Sequence, residues 1–153
     1  LDLGLPVWQP DRLRKDVECL ERLKAMNLDV AVIMAYGQLL PLSVLSIPKA
    51  GCINIHTSLL PKYRGAAPIQ WAIWNGDPVT GVTMMLMDQG MDTGPIVCTK
   101  EIPITSLTTA AILHDQLCAS GAFPGRSQFQ ECMAFPDRRC AGECLADEPR
   151  GTG

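Results

Sequence analysis

The chain has 153 residues, of which 47% are hydrophobic and 19% are charged, and this composition suits one globular domain with a sizeable core. Its formal net charge of −3 gives no general reason to expect nucleic-acid binding, although Lys62 and Arg64 form a local basic pair. Seven cysteines without a CxxC pair favour a reduced cytosolic chain over a disulfide scaffold.

The beginning of the chain and one uncharged stretch bear on targeting. The first residue is Leu1 rather than Met, so we expect that the native start is missing and that the lack of a signal peptide is uninformative. Residues 30–48 carry no charge, but Gly37, Gln38 and Pro41 interrupt them. We therefore expect no transmembrane helix and no membrane partner.

The first predicted elements are an extended lead-in over residues 5–10 and an amphipathic helix with Asp11 as its expected N-cap. The helix is predicted by apolar residues at spacings of four, three and three, namely Leu13, Val17, Leu20 and Leu23. Residues 30–35 then form a continuous apolar run, which is typical of a strand buried on both faces of a parallel sheet.

The chain is organised around the next strand, residues 51–56, which follows a turn and a short helical or irregular piece. This order favours a right-handed α/β winding with a ligand crevice beyond the carboxyl ends of the strands. The remaining predicted elements are a helix over 66–74, a strand over 82–87, a Gly-rich loop over 88–95, a strand over 96–104 and a helix over 108–118. Residues 121–153 lack any sustained period and predict a loosely ordered tail.

Asn54 and His56 share one face of the central strand if it is extended. Their Cα atoms are then roughly 6.6 Å apart, so the two side chains can flank one small reacting group. A lone histidine near a strand end is more often structural, but the paired asparagine weakens that interpretation. Asp92 lies at another strand end, where it can reach and orient the imidazole. The alternative for Asp92 is a turn aspartate that bonds its own backbone.

Other chemistries are less well supported. Cys52 shares the face of His56, but their separation of roughly 13 Å along a strand excludes a Cys–His nucleophile, so we expect a buried thiol. His114 is expected to be a solvated helix residue. The cysteine spacing does not match common zinc sites, so we expect no metal. The absence of GxGxxG and Walker motifs gives no reason to expect a dinucleotide or a nucleoside triphosphate.

Four separated motifs together resemble the 10-formyltetrahydrofolate-dependent formyltransferase family. They are Asn-Ile-His at 54–56, Ser-Leu-Leu-Pro at 58–61, Arg-Gly-Ala-Ala-Pro-Ile-Gln at 64–70 and Met-Asp-Thr-Gly at 91–94. The resemblance covers about residues 5–119 and is strongest for the branch that formylates methionyl-tRNA. It implies an α/β, Rossmann-like formyltransferase fold with a mostly parallel sheet and flanking helices, incomplete in this chain.

The resemblance implies that Asn54, His56 and Asp92 are catalytic. It implies a folate site lined by Ser58, Leu59, Leu60 and Pro61, with the turn over 36–41 bordering the pterin pocket. The implied reaction is transfer of a formyl group from the co-substrate 10-formyltetrahydrofolate to the amino group of initiator methionyl-tRNA, without a metal. The implied enzyme is a cytoplasmic monomer that meets the tRNA in its full-length form.

Relatives that formylate glycinamide ribonucleotide or a UDP-aminosugar, or that hydrolyse formyltetrahydrofolate, share the three implied catalytic residues and remain alternatives, as does an inactive folate-binding fragment. Complete members of the methionyl-tRNA branch are longer at both ends. We therefore expect residues 1–120 to be a partial catalytic domain and residues 121–153 an aberrant or disordered tail. A frameshifted or truncated gene product is our hypothesis for this tail. Resequencing tests it: one base that restores the reading frame would support the hypothesis, and a confirmed sequence with a folded tail would contradict it.

Overall fold

The computed structural model describes residues 3–120, and within them four strands form one sheet in the order β1-β2-β3-β4. The strands are Ala31–Ile33 (β1), Cys52–His56 (β2), Val79–Leu86 (β3) and Ile96–Pro103 (β4). The α-helices are Val17–Ala25 (α1), Leu42–Leu45 (α2), Pro68–Trp74 (α3) and Ala110–Ser120 (α4), and a 3₁₀ turn, Leu13–Lys15, precedes α1. No described helix has the length and apolar character needed to cross a bilayer. The predicted tail, residues 121–153, lies outside the described residues.

The expected α/β architecture is confirmed, and parallel pairing holds for β1 and β2, which a crossover through α2 connects. The other two pairings within the described residues, β2 with β3 and β3 with β4, are antiparallel. The short loop over residues 87–95 joins β3 to β4, as is common for antiparallel neighbours. The described part of the sheet is therefore mixed.

Strand β2 contributes to packing on both faces of the sheet, because its side chains alternate. On one face, Ile53 and Ile55 join a core cluster with Leu113 and Leu117 of α4. A second cluster on the other face contains Cys52, Leu40, Val44 and Leu45. The predicted alternation is confirmed, and it leaves Asn54 and His56 on the face opposite Ile53 and Ile55.

Two local predictions are wrong. Helix α1 is capped by Asp16 rather than Asp11, because the Asp16 carboxylate accepts a hydrogen bond from the Cys19 backbone N–H at 2.8 Å. The apolar run at 30–35 is not buried on both faces, since Val32 is 47% exposed and Met34 is 46% exposed. The reason is that β1 is an edge strand of the described sheet.

A polar cluster ties the loop after β2 to the end of α3. Lys62 Nζ and the Tyr63 hydroxyl each donate to Asp77, to Oδ1 and Oδ2 respectively, both at 2.7 Å. Asn75 Nδ2 donates to the Tyr63 hydroxyl at 2.7 Å. We call Lys62, Tyr63, Asn75 and Asp77 the loop clamp. Hydrogen bonds from Lys62 and Tyr63 lower the pKa of Asp77 below its ordinary value of 3.8, and the bond to Asp77 raises the pKa of Lys62.

The packing of α4 can be tested with two neighbouring residues. Leu113 is fully buried at 0% exposure, whereas Ile112 is 46% exposed. We expect Leu113→Ala to lower the free energy of unfolding by about 2–5 kcal/mol, because it leaves a cavity in the core. Ile112→Ala should cost about 1 kcal/mol or less. Urea unfolding of both variants measures this difference, and equal losses would contradict the packing described for α4.

The loop clamp predicts a pH-dependent stability. Because folding lowers the pKa of Asp77, its contribution is present above about pH 4 and is lost as the pH falls through the lowered pKa. We therefore expect Asp77→Asn to lower Tm near neutral pH and to differ little from the unmodified chain in strong acid. Thermal unfolding across this pH range measures the difference.

The matched control for this test is Asp29→Asn, which removes an exposed ion pair with Lys49 at 3.0 Å. Its loss of Tm should be smaller than that of Asp77→Asn at neutral pH, because its carboxylate holds only this exposed partner. A Tm deficit of Asp77→Asn that stays constant into strong acid would refute the role assigned to its charge.

Candidate active site

A cavity of about 500 Å³ lies where β1 and β2 end. This volume falls within the range of about 300–1,000 Å³ that is common for small-molecule sites. The lining consists of residues 33–40, 54–57, 65–69 and 87–92, together with Met85, His114 and Cys118. The crevice predicted beyond the carboxyl ends of the first two strands is therefore present, and residues 36–40 of the predicted turn form part of its wall.

The structure brings the three predicted catalytic residues together in this cavity. Asn54 Nδ2 donates to Asp92 Oδ1 at 3.0 Å, and His56 Nδ1 lies 3.6 Å from Asp92 Oδ2. The Asp92 carboxylate also accepts from the Gly65 backbone N–H at 2.8 Å. Asp92 thus connects separate parts of the chain and is more than a turn aspartate. The geometry fits the predicted trio, whose catalytic roles stay a prediction.

One backbone contact fixes the orientation of the His56 ring. His56 is 8% exposed, and its Nε2 lies 2.8 Å from the carbonyl oxygen of Tyr63. Because a carbonyl oxygen can only accept, Nε2 must carry a hydrogen and donate it. Nδ1 is then the ring nitrogen that faces Asp92. Their separation of 3.6 Å is too long for a direct hydrogen bond.

Asp92 reaches the site because its loop folds back over the sheet. Strand β3 is antiparallel to β2, so the loop begins beside the amino end of β2, where the Met87 N–H donates to the Cys52 carbonyl at 2.8 Å. The loop then returns far enough for Asp92 to contact Asn54 and Gly65. The strand-end position of Asp92 was therefore predicted, whereas the path of its loop was not.

Left-handed backbone conformations concentrate around the cavity. Ala35, Ala67 and Asp92 line it with φ angles of 49°, 58° and 51°. Tyr63, which supplies the carbonyl to His56, has a φ of 58°. This conformation costs a residue with a side chain roughly 1–2 kcal/mol, and such residues cluster at functional sites. Their positions support this cavity as the functional one.

The four residues predicted to line a folate site do not line this cavity, namely Ser58, Leu59, Leu60 and Pro61. Ser58 is fully buried, and its Oγ donates to the Lys62 carbonyl at 2.7 Å. Thr83 Oγ1 donates to the Ser58 carbonyl at 2.6 Å and accepts from the Leu60 N–H at 3.0 Å. These polar groups hold the loop in place, and their contact with folate stays a prediction.

Two main-chain groups at the site were not predicted from the sequence. They are the Tyr63 carbonyl, which accepts from His56, and the Gly65 N–H, which donates to Asp92. Every residue has such groups, so side-chain identity does not reveal which of them enter a site. In the sequence, only the glycine at position 65 pointed to this segment. The structure gives Gly65 a φ of 80°, which glycine adopts more readily than other residues.

The remaining candidates are accounted for by their surroundings. Cys52 is 2% exposed and donates its thiol to the Leu45 carbonyl at 3.7 Å. Burial raises the pKa of this thiol, which confirms the expected buried cysteine. His114 is exposed and lies 3.2 Å from Asp115, and it also lines the cavity, which the sequence did not predict. Within residues 3–120, no three His, Cys, Asp or Glu side chains form a group that could hold a metal ion.

Comparisons with known sequences agree on one family. The family described as formyl transferase matches residues 5–122. A methionyl-tRNA formyltransferase of Synechococcus sp. (strain JA-3-3Ab) is 60% identical over 119 residues, which are 78% of this chain and 37% of that protein. A second one, from Thermodesulfovibrio yellowstonii, is 52% identical over 122 residues. The chain therefore spans well under half the length of these curated relatives.

Solved formyltransferase structures share the fold. Phosphoribosylglycinamide formyltransferase from Bacillus halodurans has a TM-score of 0.65 and 28% identity, covering 92% of this chain and 69% of that chain. The formyltransferase PseJ from Anoxybacillus kamchatkensis, in complex with UDP-4,6-dideoxy-4-formamido-L-AltNAc and tetrahydrofolate, has a TM-score of 0.62 and 25% identity, covering 84% and 61%. These neighbours confirm the expected formyltransferase fold. Because the family match spans well over half of the 153 residues, this chain belongs to the formyl transferase family.

Proposed function

We propose that this chain carries the catalytic site for transfer of a formyl group from 10-formyltetrahydrofolate to the amino group of methionyl-tRNA. The observation that carries the proposal is the convergence of Asn54, His56 and Asp92 on one cavity. The 60% identity to a methionyl-tRNA formyltransferase supports this acceptor. Formylation of initiator methionyl-tRNA would place the protein in the cytoplasm, at the start of translation.

Asn54 and His56 are placed to stabilise developing negative charge. When the acceptor amine attacks the formyl carbon on N10 of the folate, charge grows on the formyl oxygen. Asn54 Nδ2 has two hydrogens, of which one is donated to Asp92 and the other remains for that oxygen. Protonated His56 supplies a second donor through Nδ1. One such donor is worth about 10²- to 10³-fold in rate.

His56 is also the group that can move protons in this reaction. The new carbon–nitrogen bond forms as the amine loses a proton, and the bond to N10 breaks as N10 gains one. Since Nε2 is held by the Tyr63 carbonyl, Nδ1 is the atom that exchanges protons, directly or through a water held with Asp92. Such general acid–base catalysis contributes about 10²- to 10⁴-fold.

The cavity is the proposed site for the pterin part of the folate co-substrate. Residues 36–40 follow β1 and form part of the cavity wall. The related PseJ structure contains tetrahydrofolate, which supports a folate in this fold. In this proposal, residues 58–61 shape the loop after β2, and their contact with the folate stays a prediction. The reaction proceeds by charge stabilisation and proton transfer and requires no metal ion.

The acceptor has a second candidate, because the neighbour from Bacillus halodurans is a phosphoribosylglycinamide formyltransferase. Arg64 is exposed and precedes Gly65, which lines the cavity. A guanidinium in this place can bind a phosphate of either tRNA or a ribonucleotide. Because the chain covers 37% of the methionyl-tRNA formyltransferase relative, an inactive folate-binding fragment is an alternative to both acceptors. We favour methionyl-tRNA on sequence identity.

Substitutions of the trio test the proposed chemistry. We expect Asp92→Asn and His56→Ala to lower formyl transfer to radiolabelled methionyl-tRNA by about 10²- to 10⁴-fold, because each removes a group that moves or stabilises charge. Calorimetric titration with 5-formyltetrahydrofolate, a stable analogue, should give similar affinities for both variants and for the unmodified chain. Asp29→Asn, which breaks an exposed ion pair with Lys49 away from the cavity, is the matched control and should retain activity.

Three outcomes of this experiment are informative. Loss of transfer with retained folate binding supports the proposed roles of Asp92 and His56. Full activity of either variant would refute its role. Folate binding without any turnover in the unmodified chain would favour the inactive fragment over the enzyme.

The preferred acceptor can be identified by a separate kinetic comparison. We expect kcat/KM for methionyl-tRNA to exceed the values for glycinamide ribonucleotide and for a UDP-aminosugar by at least about 10³-fold, since a matched site leaves none of its polar groups unpaired. The comparison uses one folate concentration for all three acceptors. A higher kcat/KM for glycinamide ribonucleotide would move this chain to the other branch of the family.

A further inference from the structure

We propose that Tyr63 is a positioning residue for His56 and that the loop clamp, Lys62, Tyr63, Asn75 and Asp77, holds it in place. The Tyr63 carbonyl fixes the tautomer of the imidazole, and the Tyr63 side chain fixes the carbonyl. The inference rests on the proposed function of the Asn54, His56 and Asp92 site, which it extends to residues that do not line the cavity.

The Tyr63 carbonyl contacts the His56 ring directly. His56 Nε2 donates to the Tyr63 carbonyl at 2.8 Å, which leaves Nδ1 facing Asp92 at 3.6 Å. If that carbonyl moved away, a neutral ring could instead carry its hydrogen on Nδ1, the nitrogen that faces Asp92. Nδ1 would then have no lone pair with which to accept a proton. The position of one carbonyl therefore decides which nitrogen serves the reaction.

This carbonyl needs an anchor. Tyr63 has a φ of 58°, a conformation that residues with a side chain seldom adopt without support. The hydroxyl of the same residue donates to Asp77 Oδ2 and accepts from Asn75 Nδ2, each at 2.7 Å. Lys62 Nζ donates to the other oxygen of Asp77 at 2.7 Å. The side chain of Tyr63 thus holds its own unfavourable backbone conformation.

The anchor is connected to a rigid part of the fold. The Asp77 N–H donates to the Ala72 carbonyl at 3.1 Å, and Asn75 is the C-cap of α3. Ala72 is fully buried, so the clamp is tied to a helix that packs in the core. Positioning therefore runs from α3 through Asp77 and Tyr63 to His56.

The same loop also contacts the other side of the catalytic pair. Two residues after Tyr63, the Gly65 N–H donates to Asp92 Oδ2 at 2.8 Å. Residues 63 and 65 therefore hold the imidazole and the carboxylate from one short segment. Loosening the clamp should change the arrangement of His56 relative to Asp92 and lower kcat, while the folate cavity and the KM for folate change little.

The test combines a tautomer measurement with kinetics on the 153-residue chain. The protein has two histidines, so ¹⁵N NMR of labelled histidine is interpretable, and His114→Gln assigns the His56 signals. At a pH where the ring is neutral, we expect the Nε2–H form in the unmodified chain and a mixture of tautomers in Tyr63→Phe and Asp77→Asn. The kcat of both variants should fall about 2- to 10-fold, with less than twofold change in KM for folate.

Two comparisons make the result specific. The double variant Tyr63→Phe/Asp77→Asn should lose little more activity than the stronger single variant, because both changes weaken the same link between Tyr63 and Asp77. Asp29→Asn, which breaks the exposed pair with Lys49 away from the cavity, should leave the tautomer and kcat unchanged. Asn75→Ala removes only one bond to the Tyr63 hydroxyl and serves as a milder variant should the others fail to fold.

The proposal is overturned if Tyr63→Phe and Asp77→Asn lower Tm while their His56 tautomer and their kcat equal those of the control Asp29→Asn. The clamp would then have only a structural role. Its failure differs from failure of the proposed function. A chain without any turnover would refute the function, whereas the His56 tautomer would still support or refute the positioning role of Tyr63.

Discussion

The site depends on one carboxylate that joins segments distant in the sequence. Asp92 accepts hydrogen bonds from Asn54, 38 residues away, and from Gly65, 27 residues away, and it faces the His56 imidazole. Since a carboxylate can accept several bonds at once, Asp92 holds the loop after β3 against both β2 and the loop that follows it. The cavity keeps its shape because these three segments meet at one side chain.

Strand β2 connects this site to the stability of the fold. Its residues Ile53 and Ile55 lie in the core with α4, while Asn54 and His56 lie on the opposite face. A shift of β2 by one residue would exchange the two sets, so core packing and site geometry enforce the same register. The loop clamp adds a second constraint, because it ties the segment after β2 to α3 through Tyr63.

The sequence was informative where the physical rule is local. The period of two in β2 predicted the face shared by Asn54 and His56, and the pattern over 108–118 predicted helix α4. It was uninformative about the direction of β3, which depends on long-range pairing, and about the Tyr63 carbonyl, which any residue could supply. The exposure of Val32 depends on its place at the sheet edge, and composition does not report that place.

The central claim is that an amide, an imidazole and a carboxylate act together on a one-carbon unit in this cavity. An experimental structure of the chain with bound 10-formyltetrahydrofolate, in the absence of an acceptor, tests it most directly. We expect the pterin along residues 36–40 and the formyl oxygen within about 3.2 Å of Asn54 Nδ2. A folate bound elsewhere, with its formyl group out of reach of both Asn54 and His56, would contradict the account.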